Sequence, residues 1–289
     1  MKACRRILSC IVGLAVCIAC TGQTLDASLA HRYAVRATLY GIGHANVYDT
    51  YLSPYEYKGI EAKVLRESMR MTRLLNGRVS VQSLFHAGIS YTHNRQGSNH
   101  CLSASADWNY GMHWHFPVNR WLKLLAGAMG EIGGNGTYNP RNSNNPGSVR
   151  ASAGLSASGM AICNVRLKRY PVTLRYQIDI PLLGMAFAPD YRQSYYEIFA
   201  LGNTEGILHF TSLYNRPSTR QVLSVDLPVR NAKLRIAYLC DLEQSTAGGL
   251  RFHRYSHTLM AGFVRTFYRI RGKRPKAVPV YQTYNGKRL

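Results

Sequence analysis

The chain has 289 residues, with 36 Lys and Arg against 14 Asp and Glu, a formal net charge of +22 and 46% hydrophobic residues. That length and apolar content support a sizeable folded body and exclude a small disulfide-stapled scaffold. Beyond the N-terminal leader no segment approaches the ~18 consecutive apolar residues of a membrane-spanning helix, which excludes a helical membrane protein.

Lys2, Arg5 and Arg6 precede an apolar stretch at 7–19, and the small residues Ala19, Thr21 and Gly22 follow it. This is the layout of a secretory signal, assigned to residues 1–23. Lipidation of Cys20 is the alternative, but Cys17 stands three positions before it, where a bulky aliphatic residue is usual. Export argues against nucleic acid as the partner of so basic a chain. It favours an anionic membrane surface, phosphorylated lipid head groups or acidic glycans. Four of the seven cysteines (Cys4, Cys10, Cys17, Cys20) belong to the leader; Cys101, Cys163 and Cys240 are far apart and form no metal or disulfide pattern.

Strand-type alternation begins at 31–48, with Tyr33, Val35, Ala37 and Leu39 on one face and Arg32, Arg36, Thr38, Tyr40 and His44 on the other. In 57–75, Ile60, Ala62 and Val64 oppose Glu61 and Lys63 until the pattern breaks near Arg66 and Glu67, which predicts a bulge. Asn76-Gly77 reads as a hairpin turn. In 78–94, Val79, Val81, Phe85, Ala87, Ile89 and Tyr91 oppose Ser80, Gln82, His86, Ser90 and Thr92. The clearest segment is 102–116. Leu102, Ala104, Ala106, Trp108, Tyr110, Met112, Trp114 and Phe116 form one face; Ser103, Ser105, Asp107, Asn109, Gly111, His113 and His115 form the other. Further strands are predicted at 121–133, 149–167, 171–188, 220–229, 232–242 and 255–270.

Short connections fall at 76–77, 118–120, 168–171 and 230–231, and long ones at 49–56, 95–101, 134–148, 189–219 and 243–254. This rhythm, with aromatic residues near both ends of the greasy face, predicts an all-β fold: a transmembrane antiparallel up-and-down β-barrel. About ten strands are expected, or twelve if 195–201 and 207–213 form a further pair. The barrel is assigned to 24–270 and a basic tail to 271–289, in the outer membrane of a Gram-negative bacterium with both termini periplasmic. A soluble lipocalin-like barrel or sandwich is the alternative.

An inward polar cluster is expected from Glu61, Lys63, His86, Asp107, Asn109, Arg175 and Asp179. Its plain reading is a plug of ion pairs, since unpaired buried charges are costly. His113 and His115 have a spacing that could hold a metal, but no third ligand is evident, so no metal site and no cofactor is assigned. Asp241, Ser256 and His257 are candidate hydrolytic residues. Adjacent strand residues point to opposite faces, however, which weakens the pairing of Ser256 with His257. In 189–219, Tyr191, Tyr195, Tyr196 and Phe199 interleave with Arg192 and Arg216, a composition suited to a glycan, phosphate or other small-molecule ligand, or to a lid.

Several segments carry a resemblance: 46–54 (NVYDTYLSP) with 56–59, 107–111 (DWNYG), 144–146, 193–199 (QSYYEIF) and 238–241. Through them the chain resembles the uncharacterised Bacteroidetes family known as domain of unknown function 3316, over nearly its whole length up to about residue 270. The resemblance implies an exported outer-membrane protein and brings no established activity. The leading expectation is thus a largely occluded barrel that binds a surface ligand or serves a structural role, with outer-membrane lipids or lipopolysaccharide as partners. A lipid A- or phospholipid-modifying hydrolase and a narrow solute channel are the alternatives, and the oligomeric state stays open.

Overall fold

Alternation with period two gives each strand two unlike faces, and a sheet made of such strands can satisfy both by closing on itself. The computed structural model describes residues 33–143, 145–167, 170–190, 193–229, 232–268 and 276–278. The leader and most of the basic tail lie outside them. Nine strands come first in chain order: β1 (Tyr33–Asp49), β2 (Tyr57–Met71), β3 (Val79–His93), β4 (His100–Pro117), β5 (Leu122–Tyr138), β6 (Gly147–Leu167), β7 (Tyr170–Phe187), β8 (Leu208–Ser212) and β9 (Thr219–Val229). β10 (Ala232–Ala247), β11 (Leu250–Tyr268) and β12 (Lys276–Val278) are the remaining strands among the described residues, and a short α-helix, α1 (Tyr195–Phe199), lies between β7 and β8.

Ten of these strands pair antiparallel in sequence order, β9 following β7, and β11 returns to β1 from Tyr33↔Tyr268 to Asp49↔Phe252. The result is a closed ten-stranded barrel. β8 runs along the upper part of β7 and β9 along its lower part, so the two act as one wall strand interrupted at 213–218. β12 adds three residues to β11 at the end where the termini lie. The further pair considered at 195–201 and 207–213 is therefore a helix and a wall segment.

The faces are inverted relative to a soluble protein. Leu102, Trp108, Tyr110, Met112, Trp114 and Phe116 are exposed on the outer wall, while Ser103, Ser105, Asn109 and His113 of the same strand are buried inside. A soluble barrel keeps its polar face outward, so this wall is built for lipid.

β1 alternates as expected, with Ala37 and Leu39 pointing inward and Arg36, Thr38 and Tyr40 outward. The reason is an apolar layer across the middle of the lumen: Leu39, Leu65, Leu84, Met129, Leu239 and Met260. Pairing of β2 runs without interruption past Arg66 and Glu67, so no bulge occurs there; Leu65 simply supplies the apolar layer. The register shift lies instead between Leu155 and Ser156, opposite Pro181, which has no N–H to continue the ladder. The turn placed at Asn76-Gly77 is a longer connection, 72–78, with Leu75, Asn76 and Gly77 all at positive φ. Finally, 243–254 is no loop. β10 and β11 extend through it to a tight turn at Gly248 and Gly249, with φ of 57° and 72°.

Candidate functional site

Going down the inside of β10, the order is Glu243, Asp241, Leu239, Ala237, Arg235; down β2 it is Glu61, Lys63, Leu65, Glu67. Each strand thus contributes charge above the apolar layer and charge below it. In the upper network the Lys63 ammonium donates to Ser256 Oγ at 2.7 Å and lies 3.4 Å from both Glu61 and Asp241. Gly88 makes room for it, since a Cβ there would stand 2.8 Å from Lys63 Cγ. Arg254 reaches Glu243 at 3.2 Å and Asp241 at 3.6 Å, and Arg220 donates to Asn109 at 3.0 Å. His86 lies 3.5 Å from Asp107.

In the lower network Glu67 sits between two guanidinium groups, Arg175 at 2.5 Å and Arg235 at 2.7 Å. Arg235 also holds Asp226 at 2.6 Å. A chain of hydrogen bonds from Arg175 through Gln177 to Asp179 passes the apolar layer along β7. The seven residues expected inside all lie inside, and the structure brings them into these two networks. His113 and His115 also face inward, where each shares a 2.8 Å hydrogen bond with its own serine, Ser158 and Ser80. Among the described residues no three His, Cys, Asp or Glu side chains group as metal ligands.

The candidate hydrolytic residues are separated by the wall. Ser256 is fully buried in the lumen, where it donates to Glu61. His257 faces outward and shares a 2.7 Å hydrogen bond with Tyr238. Asp241 is inside with Lys63. Among the described residues no imidazole reaches the Ser256 hydroxyl, so the three do not form a nucleophile, base and acid relay. The amine beside Ser256 is committed to two carboxylates. Two lumen voids, one of about 20 Å³ beside Asp107, Arg220 and Asp241 and one of about 10 Å³ beside Glu61 and Arg254, have room for little more than a single water molecule.

At the loop end the connections fold over the mouth. Arg150 donates to Asp49 at 2.9 Å while lying over the Phe252 ring, and Ser148 donates to Asp49 at 2.7 Å. The Tyr51 hydroxyl donates to the Gln193 carbonyl at 3.3 Å, and Asn99 and Asn139 both donate to the Tyr57 hydroxyl. Burial, helped by neighbouring Tyr195 and Asp49, pushes the Tyr51 phenol up to about 12. α1 starts with a capping box between Ser194 and Glu197, and those hydrogen bonds lower the Glu197 carboxyl.

The loop candidates divide three ways. Tyr195 is an anchor: its hydroxyl donates to the Val149 carbonyl at 2.9 Å and its ring stacks on Phe199. Tyr196 and Phe199 are exposed, with Leu201, Phe210 and Tyr214 beside them in sequence on the same excursion. Arg216 turns into the barrel, 2.8 Å from Glu131 and 3.7 Å from Glu243, so the expected arginine and aromatic surface is split by the fold. Tyr191 and Arg192 lie outside the described residues. Sequence reasoning missed Asp49 as a site residue, although it lies within one of the segments that carried the family resemblance.

A family model described as a protein of unknown function, DUF3316, matches residues 7–274. No curated protein matches the chain in sequence. Solved structures similar to it include the outer membrane protease OmpT from Escherichia coli, with 9% identity, a TM-score of 0.43, and 84% of this chain and 100% of that one covered. The transport unit of the autotransporter AIDA-I from Escherichia coli has 7% identity, a TM-score of 0.46 and coverage of 90% and 97%. The translocator domain of autotransporter NalP from Neisseria meningitidis has 13% identity, a TM-score of 0.39 and coverage of 93% and 95%.

Proposed function

The chain belongs to the DUF3316 family, and from that premise we propose that it is an outer-membrane β-barrel of a Gram-negative bacterium with a sealed lumen, binding a cell-surface ligand on its cap. The outward apolar wall, the basic, signal-like leader and the closed strand order support a place in that membrane. β1 begins and β11 ends on the side of the barrel where β4 passes to β5, β6 to β7 and β9 to β10 by short connections, which supports a periplasmic position for both chain ends. The larger excursion, 188–218, lies at the opposite end.

The observation that carries the binding reading is the side chain set left exposed on that excursion. Tyr196 is 69% exposed, Phe199 74% and Tyr214 97%, on a segment anchored to the barrel through Gln193, Tyr195 and Arg216. Aromatic rings held in this way offer stacking area for a glycan or an acyl group at little entropic cost. The filled lumen speaks against a solute channel, and the separation of Ser256 from His257 speaks against a hydrolase.

The test is binding of the refolded protein to immobilised lipopolysaccharide and to an oligosaccharide array, before and after F199S/Y214S. The double substitution is expected to lower binding at least tenfold without disturbing barrel migration on gels. Planar bilayers containing the protein are expected to stay silent, and outer-membrane lipid profiles with and without the gene to match. Conductance steps, or a defined change in acyl or phosphate groups, would replace this reading with the channel or the hydrolase.

A further inference from the structure

We propose that the outer wall of β11, β1 and β2 carries a site for one anionic glycerophospholipid, its phosphate held by arginines and its acyl chains lying in an adjoining groove. This rests on the reading of the barrel as membrane-spanning. Arg36 on β1 is directly opposite Arg265 on β11, and both side chains are exposed on the outer face. On its other side Arg36 is opposite Ser68, with Arg66 and Arg70 at the two diagonal positions of β2 and also exposed. Directly opposed like charges destabilise a sheet, and diagonal neighbours remain within reach of long side chains.

Among the described residues no acidic side chain on that face neutralises the cluster. Nearly every acidic residue described on a strand points into the lumen: Glu61, Glu67, Asp107, Asp179, Asp226 and Asp241 are all buried there or nearly so. Asp49, Glu131 and Glu243 face inward as well, and Glu56, Asp190, Glu197 and Glu205 belong to the loop end. No acidic side chain stands on the outer face of the strands among the described residues. The Arg36 guanidinium lies 5.3 Å from the centre of the Phe267 ring, which keeps it flat against the wall. A phosphodiester supplies the missing negative charge in a form that guanidinium groups bind well.

Apolar surface continues from the arginines along the same strands. A groove of about 1070 Å³ has a floor of small residues, among them Gly41, Ala62, Ala87 and Ala261, flanked by Tyr40 and Leu259. Tyr40 and Ile42 lie four and six residues beyond Arg36, or about 13–20 Å at ~3.3 Å per residue. That compares with the acyl depth of one leaflet, half of ~30 Å. The arginines stand at the end where the termini lie and the groove runs toward the bilayer centre, as a phospholipid of that leaflet requires.

The test uses the mature chain refolded in phosphatidylcholine bilayers with a minor share of phosphatidylglycerol, then extracted in mild detergent for native mass spectrometry. Wild-type protein is expected to retain one phosphatidylglycerol in preference to phosphatidylcholine. R36Q/R265Q should lose that preference roughly tenfold to thirtyfold, as removal of two basic residues beside an anionic head group implies. A261F, which narrows the groove without changing charge, should also lower retention, and R251Q at the loop end should not. Equal retention of both lipids by the wild type, or unchanged retention in R36Q/R265Q, overturns the site. Displacement of phosphatidylglycerol by lipid A at equal concentration overturns the choice of lipid. Gel migration of unheated against heated samples reports barrel closure: an open chain sinks the barrel reading and this site with it, whereas a closed barrel without lipid preference sinks the site alone.

Discussion

Replacing Glu67 by Gln tests whether the lumen is a dry, paired plug. Glu67 is the acidic partner of Arg175, at 2.5 Å, and the second carboxylate of Arg235, which keeps Asp226 at 2.6 Å. E67Q preserves shape and removes charge, so it leaves two buried guanidinium groups to share one carboxylate. Breaking a buried pair by removing one partner costs about 3–5 kcal/mol, or roughly 150- to 5000-fold in the folding equilibrium. R175M should cost clearly less, because Glu67 then keeps Arg235. The double variant E67L/R175M should recover much of the loss, since apolar side chains of similar volume can replace a buried pair. Urea titration of the protein in vesicles, followed by tryptophan fluorescence and by heat-dependent gel migration, measures all three. A cost below about 1 kcal/mol for E67Q, a value typical of exposed pairs, would refute the reasoning: it would mean that water screens the lower lumen.

Two further outcomes concern the cap. The Tyr51 phenol, pushed up to about 12 from an ordinary 10.0, is held in its neutral form by the folded cap. Its contribution should therefore be complete below pH ~10 and fade as pH rises through ~12. Ultraviolet titration should show a late-ionising tyrosine that Y51F removes; cap opening to protease already near pH ~10 would contradict this. Gly248 has a φ of +57°, and a Cβ there would stand 2.9 Å from the Pro189 carbonyl oxygen, whereas Gly97, at φ +68°, has open space around it. G97A should cost only the ~1–2 kcal/mol of left-handed strain, and G248A should cost more and loosen 188–207 as well. Equal effects in the two variants would show that Gly248 does not support the cap.

What was legible in the chain follows from where each signal resides. The two faces of β4 could be read residue by residue because lipid and lumen differ along its whole length. The same alternation foretold that Ser256 and His257 would part company. β1 was harder, because neither of its faces is uniform: Arg36 and Thr38 face outward beside Tyr40, and Ala37 and Leu39 face inward. Only the three-dimensional layer formed with Leu65, Leu84 and Met260 explains that choice. The 243–254 stretch looked like a loop because Ser245, Thr246 and the two glycines resemble turn composition. Its pairing with β11 overrides that. The contact of Asp49 with Arg150 spans 101 residues, and Arg216 enters the lumen from an excursion with no periodicity at all. No local pattern could have revealed either.

Acidic side chains on the strands are spent inside, against Lys63, Arg150, Arg175, Arg220, Arg235 and Arg254. Among the described residues the outer wall consequently carries arginine with no acidic side chain beside it, concentrated on β11, β1 and β2 at the end where β1 begins and β11 ends. The charged groups of the lumen are paired with one another, whereas the wall arginines face no acidic side chain on their own side among the described residues. The two proposals, a lipid held by the wall arginines and a ligand met by the aromatic side chains of the cap, both follow from this division of charge between lumen and wall.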